Sequence, residues 1–277
     1  MYGAGILPLR DENPTSRLTF VTWSVMAICI ATFVFAQSGR ATIDEVSTDA
    51  GTFRIDSELR FNLEVAAVPC EIQQGRPLTV AEIGATYGLG DETGCDPESD
   101  GPALFPDKLV FLSLLTSLFL HTGWLHLGTN MLFLWIFGNN IEDRIGHLPF
   151  AAFYLVSGIF ATLGHVAAQP SSTIAVLGAS GAVAGLMGAY LAWFPDAPIR
   201  TLVFLIVVDI RARWFLLGWF VLQFFTQSGS AVAWVAHVVG FGFGFLLALA
   251  VRGLFNDPTG GAGRGPYPHP SDWIHLQ

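Results

Sequence analysis

Residues 176–194 read VLGASGAVAGLMGAYLAWF, an apolar run that carries Ser180 near its beginning. A second apolar run, residues 231–252, carries His237 in the segment AHVVG. A polar side chain buried at membrane depth is costly, and it marks a functional site by default. A serine and a histidine are also the minimal parts of an activated nucleophile. The two runs therefore predict a serine protease that works inside a membrane.

The composition indicates a membrane protein. Hydrophobic residues make up 52% of the 277 residues and charged residues 13%, whereas soluble domains carry roughly 25% charged residues. A spanning helix needs roughly 17–25 predominantly apolar residues. We therefore predict an all-α polytopic membrane protein with six transmembrane helices, formed by residues 18–36, 124–141, 150–168, 176–194, 212–226 and 231–252.

The net charge of −9 comes from one segment. Residues 37–107 hold fourteen acidic residues and four arginines, a local balance of −10. We predict that this segment is a long acidic loop outside the membrane, between the first and second helices. It gives no indication of nucleic-acid binding. Cys70 and Cys95 both lie in this loop, where an oxidising compartment allows a disulfide, and the paired and free forms stay equal alternatives.

The short loops indicate the orientation. The loops at 169–175 and 227–230 contain no Lys or Arg, whereas the other short connections and both ends contain arginines. The positive-inside rule then places both termini in the cytoplasm. Residues 1–17 are predicted to form a cytoplasmic tail and residues 253–277 a disordered cytoplasmic tail.

Three apolar segments need a choice between interpretations. Residues 18–36 are longer than a usual signal-peptide core, so we favour a retained first helix over a cleaved signal. Residues 109–120 are too short to span, and we predict that they lie along the outer membrane interface. Residues 201–208 are predicted to be a second interfacial segment rather than a seventh span.

A histidine and an asparagine stand near the start of the second apolar run. His126 and Asn130 are four residues apart and share one helical face. Imidazole and carboxamide N–H groups are suitable donors for an oxyanion, although such a pair alone is more often a satisfied polar patch. The N–H of Ser180 would be a third donor if Ser180 lies near a helix start. The alternative role for Ser180 is that of a helix N-cap.

Glycines mark the two runs that carry the serine and the histidine. Gly181, Gly185 and Gly188 lie near one face of the fourth run, and Gly240 and Gly244 are four apart in the sixth. Small-residue faces let helix backbones approach closely in lipid. We expect these two helices to pack together and to bring Ser180 and His237 within hydrogen-bond reach, with ordinary helix packing as the alternative.

Two motifs of other hydrolases do not fit. The segment 178–182 fails the esterase pattern G-x-S-x-G at its last position, where Ala182 stands. The zinc-protease pattern H-E-x-x-H does not occur. We predict no metal and no cofactor.

Three motifs lie in order on separate apolar runs: H-x-x-x-N at 126–130, G-A-S-G at 178–181 and A-H-x-x-G-x-x-x-G at 236–244. Together they resemble the rhomboid intramembrane serine proteases. The sequence Glu142-Asp143-Arg144, just after the second run, also resembles the E-x-R element of that family. The resemblance covers roughly residues 108–252, the region that we interpret as the catalytic core.

The resemblance implies a six-helix bundle with a Ser–His dyad in a water-filled cavity that opens outward. Ser180 would be the nucleophile and His237 the general base, with no third acidic residue. His126, Asn130 and the N–H of Ser180 would hold the oxyanion.

Structural support is implied for Glu142 and Arg144 of the E-x-R element. Gly240 and Gly244 are assigned the same structural role because they let the helices pack closely. A weak surface salt bridge is the alternative for Glu142 and Arg144.

The sequence departs from the family pattern in two places. Some rhomboids have an aromatic residue one turn after the serine, stacked on the histidine, but Ala184 stands there in this chain. Another residue must then restrain His237, or its ring is looser. Residues 37–107 contain no Trp, so the Trp-Arg pair common in the first outer loop of the family is missing.

The predicted function is hydrolysis of peptide bonds in the transmembrane segments of other membrane proteins, within a lipid bilayer. The alternatives are a non-catalytic rhomboid-like factor that binds and escorts membrane proteins, and a transporter. The predicted location is a bacterial inner membrane. The substrate, its cleavage site, the role of the acidic loop and the oligomeric state are left open.

Overall fold

The computed structural model of the protein describes residues 6–37, 43–48, 51–225 and 233–255. Helices dominate this part of the chain. The α-helices are α1 (Phe20–Ala31), α2 (Ser57–Val65), α3 (Pro69–Gln74), α4 (Val80–Leu89), α5 (Ser113–Thr116), α6 (Trp124–Phe133), α7 (Asn139–Ile145), α8 (His147–Ala168), α9 (Ser180–Trp193), α10 (Ala212–Gln223) and α11 (Trp234–Ala250). The strands are β1 (Ile6–Asp11), β2 (Ile43–Thr48), β3 (Gly51–Asp56), β4 (Pro198–Val203) and β5 (Ile206–Arg211).

Each predicted apolar run contains helix. A π-helical stretch, Thr32–Gln37, extends α1, and another, Leu134–Gly138, joins α6 to α7. Within the described residues, two helices are long and apolar enough to cross a membrane, Phe20–Gln37 and His147–Ala168. Trp234–Ala250 is apolar but shorter. Most of the predicted tail at 253–277 lies outside the described residues.

The all-α prediction needs correction, because two small sheets accompany the helices. Strands β4 and β5 form an antiparallel hairpin, and β1 pairs with the other edge of β4. Residues 201–208, which were predicted to form one interfacial segment, therefore belong to a hairpin between α9 and α10. Part of the predicted N-terminal tail, strand β1, adds a third strand to this sheet. The β-branched residues of this region favour strand pairing. Strands β2 and β3 form the second sheet.

The closest helix contact joins α9 to α11. If Gly240 carried a Cβ, that atom would lie 2.3 Å from the carbonyl oxygen of Gly181. A Cβ on Gly188 would lie 2.1 Å from the carbonyl oxygen of Phe241. Real Cβ atoms do not approach other atoms so closely, so only glycine permits this separation of the two backbones. The helices that carry Ser180 and His237 are thus in direct backbone contact.

Residues 51–105 build a small unit with its own core. Its buried apolar side chains include Ile55, Leu63 and Ile83. A disulfide joins Cys70 to Cys95, with Cα atoms 5.7 Å apart. Lys108 forms a buried ion pair with Glu71, 2.5 Å from Nζ to Oε2. Together with α2–α4, these links make a folded unit within the segment that was predicted to be a long acidic loop with room for a small fold.

This unit is hydrogen-bonded to the segment that precedes α9. The Val176 N–H donates to the Ala67 carbonyl at 2.7 Å, and the Cys70 N–H donates to the Ser172 carbonyl at 2.9 Å. The Thr173 N–H donates to the carbonyl of Glu92 at 3.0 Å. The chain is therefore held on both sides of Thr173, a few residues before Ser180.

Candidate active site

Ser180 is the first residue of α9. The N-cap residue is Ala179, which has no side chain able to cap, so the N-cap alternative for Ser180 is wrong. Gly178 has φ +129° and its N–H donates to the Ser117 carbonyl at 2.9 Å. Backbone N–H groups in the first turn of a helix have no intrahelical partner. The start of α9 therefore offers N–H donors and a positive dipole end beside the Ser180 hydroxyl.

A small cavity of about 20 Å³ lies at this helix start. Ser180 lines it together with Ser117, Thr162, Gly178 and Ala236. A cavity of roughly 10–15 Å³ or more holds one water-sized group. Among the residues that the structure describes, the Ser180 hydroxyl forms no hydrogen bond. Ser180 therefore borders a space of about the size of one carbonyl oxygen or one water molecule.

The His126 ring lies against Gly178. A Cβ on Gly178 would stand 3.0 Å from His126 Nε2. On the other side of the ring, the N–H and the hydroxyl of Thr122 lie 3.4 and 3.1 Å from Nδ1. A backbone N–H can only donate, so Nδ1 is the acceptor and the neutral ring carries its proton on Nε2. His126 thus presents an N–H towards the residues that precede Ser180.

Asn130 is placed differently from His126. Its side-chain amide donates to the carbonyl of His126, one turn earlier in α6, at 2.8 Å. The residue is buried, and this local bond competes with any contact outside the helix. One hydrogen of the Asn130 amide is therefore bonded within α6, whereas the His126 ring contacts Gly178 at the start of α9.

His237 lies in the first turn of α11. The neighbouring residues Gly181 and Ala236 are in contact, since a Cβ on Gly181 would be 3.9 Å from the Ala236 carbonyl oxygen. Among the described residues, no hydrogen bond joins Ser180 to His237. Catalytic hydrogen bonds are often long in enzymes without substrate and tighten when it binds.

Comparison with known proteins gives the family. The model of the Rhomboid domain matches residues 109–253, just over half of the chain. The chain belongs to the rhomboid family. Rhomboids are helical polytopic membrane proteins, so this chain is an integral membrane protein.

Curated relatives carry the family name. The chain is 36% identical to "Rhomboid protein 1, mitochondrial" of Saccharomyces cerevisiae over 34% of this chain and 28% of that protein. It is 33% identical to "RHOMBOID-like protein 6, mitochondrial" of Arabidopsis thaliana over 49% of this chain and 43% of the relative. It is 41% identical to "Rhomboid protease GluP" of Bacillus subtilis over 28% of this chain and 15% of the relative.

The matched region covers less than half the length of each of these rhomboids. Some relatives are named as mitochondrial or chloroplastic, and others come from a bacterium. The comparisons therefore support a membrane location but do not favour the bacterial inner membrane, and the orientation of the termini stays a prediction.

The rhomboid E-x-R element supports the start of α1. The Glu142 carboxylate is fully buried and accepts the N–H groups of Val21 and Thr22 at 2.9 and 2.7 Å. It also accepts the Thr22 hydroxyl at 2.6 Å and lies 2.6 Å from His147 Nδ1. Thr19, the N-cap of α1, makes no side-chain cap bond. A carboxylate from the α7 region therefore caps α1, so the surface-salt-bridge alternative is wrong for Glu142.

Arg144 contacts the other end of α9. Its guanidinium carbon lies 5.2 Å from the Trp193 ring centroid and 5.5 Å from that of Phe194. Such cation–π contacts are attractive, and they tie α7 to the end of α9 opposite Ser180. Glu142 and Arg144 therefore connect α7 to two helices of the rhomboid core.

Two residues of α10 contact His237 and were not predicted. The Trp219 ring lies 5.8 Å from the His237 ring at an interplanar angle of 40°. The Gln223 Oε1 lies 2.8 Å from His237 Nδ1. Ala184 stands where some rhomboids have an aromatic residue, and in this chain α10 rather than α9 supplies a ring beside His237. The sequence feature that could have identified Gln223 is its position as a polar residue within an apolar run.

Proposed function

We propose that this rhomboid is an intramembrane serine endopeptidase that cleaves transmembrane segments of membrane proteins. The observation that carries the proposal is the placement of Ser180. Ser180 borders a small cavity at the start of α9, and His237 lies in the first turn of the helix packed against α9. Acyl transfer requires a nucleophile and a base within hydrogen-bond reach, and the direct contact of the two helices supports that arrangement. The relative named "Rhomboid protease GluP" adds family-level support.

The proposed reaction has two steps. His237 accepts the proton of the Ser180 hydroxyl while the oxygen attacks the scissile carbonyl carbon. The tetrahedral intermediate expels the amine, which takes the proton from His237, and an acyl-enzyme remains. Water then attacks the ester, His237 again moves the proton, and the carboxylic acid product leaves with Ser180 restored.

Oxyanion stabilisation would come from the Ser180 N–H and from His126. Both lie at the start of α9, where the helix dipole favours negative charge. We retain Asn130 as a proposed donor because its amide nitrogen carries two hydrogens and one bond to His126 uses one of them. We further propose that all six apolar helices span the bilayer and that the 37–107 segment lies outside the membrane, with both termini in the cytoplasm.

The substrates are proposed to be transmembrane helices that unwind easily. A helix hides its carbonyls in hydrogen bonds, and Gly or Pro near the cleavage point lowers the cost of exposing one. The small cavity beside Ser180 also suits a small residue at the cleaved bond. The lipid bilayer and the transmembrane substrate are therefore the two proposed partners.

A serine-directed activity probe tests the proposal without knowledge of the substrate. A fluorophosphonate should label the parent and the Ser24→Ala control, in which an exposed serine of α1 is removed. It should fail to label Ser180→Ala and should label His237→Ala at least tenfold more slowly, because the base is missing. Labelling that persists in Ser180→Ala would contradict the assignment of the nucleophile.

A further inference from the structure

Gln223 is a buried amide and the last residue of α10. Its side-chain amide lies between a backbone carbonyl and an imidazole ring. The amide nitrogen Nε2 donates to the carbonyl of Trp219, one turn earlier, at 3.1 Å. The amide oxygen Oε1 lies 2.8 Å from Nδ1 of His237. Gln223 therefore links the carbonyl of one helix to the imidazole of another.

The Trp219 carbonyl determines which way the amide of Gln223 faces. A carbonyl can only accept a hydrogen bond, so the Gln223 NH2 group must point to Trp219. The amide oxygen then points to His237, and it also can only accept. Nδ1 of His237 must therefore carry a proton, and in the neutral ring Nε2 carries none.

We propose that Gln223 is a positioning residue that holds His237 as the Nδ1–H tautomer. The catalytic role of this tautomer rests on the proposed protease function. In this tautomer Nε2 has a free lone pair, and it can accept the proton of the Ser180 hydroxyl. With the proton on Nε2, the ring would present a donor to Ser180 and could not act as its base.

A neutral amide suits this position in a membrane protein. A carboxylate at the same place would add a buried negative charge, which is expensive at membrane depth. The amide oxygen still accepts from Nδ1–H after His237 has taken the second proton, so it favours the imidazolium without that cost. The tilted Trp219 ring contacts the same imidazole. α10 thus supplies both the hydrogen bond and the ring contact that restrain His237.

The first test reads the tautomer directly. Nitrogen-15 NMR of histidine-labelled Ser180→Ala protein in liposomes reports which ring nitrogen carries the proton, and the His237→Ala variant assigns the signals by their loss. The proton on Nδ1 of His237 is the expected result. A proton on Nε2 would overturn the proposal. The measurement needs no catalysis and leaves Gln223 unchanged, so it is independent of cleavage and of the folding of Gln223 variants.

The second test reads catalysis in three variants. Gln223→Leu should lower kcat about tenfold, as expected for one lost hydrogen bond, and should leave KM within about twofold. Gln223→Glu should restore kcat to within about threefold of the parent, because a protonated carboxyl donates to Trp219 and accepts from His237 as the amide does. Gln73→Leu, at an exposed glutamine of α3, is the matched control and should cleave like the parent.

The outcomes separate this inference from the proposed function. Unchanged kcat in Gln223→Leu would overturn the positioning role while the parent still cleaves. A lower kcat in Gln223→Leu that is not restored in Gln223→Glu would also overturn the positioning role, because that pattern indicates an effect of side-chain packing. An inactive parent that no serine probe labels would overturn the proposed function, whereas the tautomer assignment would still be decided by NMR.

Discussion

Gly244 of α11 lies directly on Gly185 of α9. A Cβ on Gly244 would stand 2.0 Å from the Gly185 carbonyl oxygen, so any side chain there must push the two helices apart. The Ser180 and His237 side chains are carried by these same helices. Their mutual position therefore depends on glycines one and two turns away from the candidate site.

Gly244→Ala is expected to destabilise the protein by about 1–3 kcal/mol, the usual cost of overpacking. It should also lower the rate of Ser180 labelling by a serine probe, because the helices separate. Gly242→Ala is the matched control on the same helix, since a Cβ on Gly242 would meet nothing within 4 Å. Equal stability and equal labelling of the two variants, measured in the same detergent, would contradict the close-contact account.

Glu142→Gln is expected to lower the unfolding free energy by about 2 kcal/mol, because charge-assisted bonds to the first N–H groups of α1 are weakened. Thermal or denaturant unfolding in detergent measures the change. Glu98→Gln is the control, since Glu98 is an exposed carboxylate. If the two variants unfold alike, Glu142 does not cap α1 in the manner that the hydrogen bonds indicate.

The buried carboxyl of Asp11 predicts that the stability of the protein depends on pH. Burial raises its pKa from 3.8 to about 6, although hydrogen bonds from Tyr190 and Asn140 oppose that rise. The folded state therefore holds this proton more tightly than the unfolded chain. The stabilisation is complete below about pH 4 and is lost as the pH rises through about 6. The unfolding free energy falls by roughly 3 kcal/mol over this range, since a shift of one pKa unit corresponds to about 1.4 kcal/mol.

Asp11→Asn removes this titration and keeps a carbonyl oxygen to accept the two hydrogen bonds. The difference in unfolding free energy between Asp11→Asn and the parent should therefore rise with pH between about 4 and 6 and stay constant above that range. Unfolding curves at several pH values measure it. A difference that does not change with pH would show that burial of Asp11 has no such effect.

Reduction of the disulfide between Cys70 and Cys95 should loosen the segment before Ser180. The bond closes a loop with a sequence separation of 25, and loops of that order gain about 3 kcal/mol from a disulfide. The Cys70 N–H is bonded to Ser172. Amide exchange at Thr173 and Val176 should therefore accelerate after reduction, while exchange within α8 stays unchanged. Equal protection of Thr173 before and after reduction would contradict this coupling.

The sequence predicted the helices and indicated the two principal candidate residues, because both predictions depend on local features of the chain. Ser180 and His237 are polar residues in apolar runs, and the runs themselves are long enough to recognise. The β1–β4 pairing could not be predicted in this way, since the two strands are almost 190 residues apart in the chain. The apolar character of residues 201–208 fits an interfacial segment as well as a hairpin.

The surroundings of the two residues were harder to predict. Helical spacing placed His126 and Asn130 on one face, but it could not show that the Asn130 amide bonds to the His126 carbonyl. Gln223 belongs to no motif, although the argument from burial that selected Ser180 applies to it equally. Ala184 indicated that the usual ring contact was missing, and only the packing of α10 shows that Trp219 takes that place.

The most direct test of the account is cleavage of a helix-destabilised transmembrane peptide in liposomes by the parent, Ser180→Ala and His237→Ala. The account predicts cleavage by the parent and a loss of at least a hundredfold in each variant, the range expected when a nucleophile or its base is removed. Ser24→Ala should cleave like the parent. Cleavage that persists in Ser180→Ala at the parent rate would contradict the central claim.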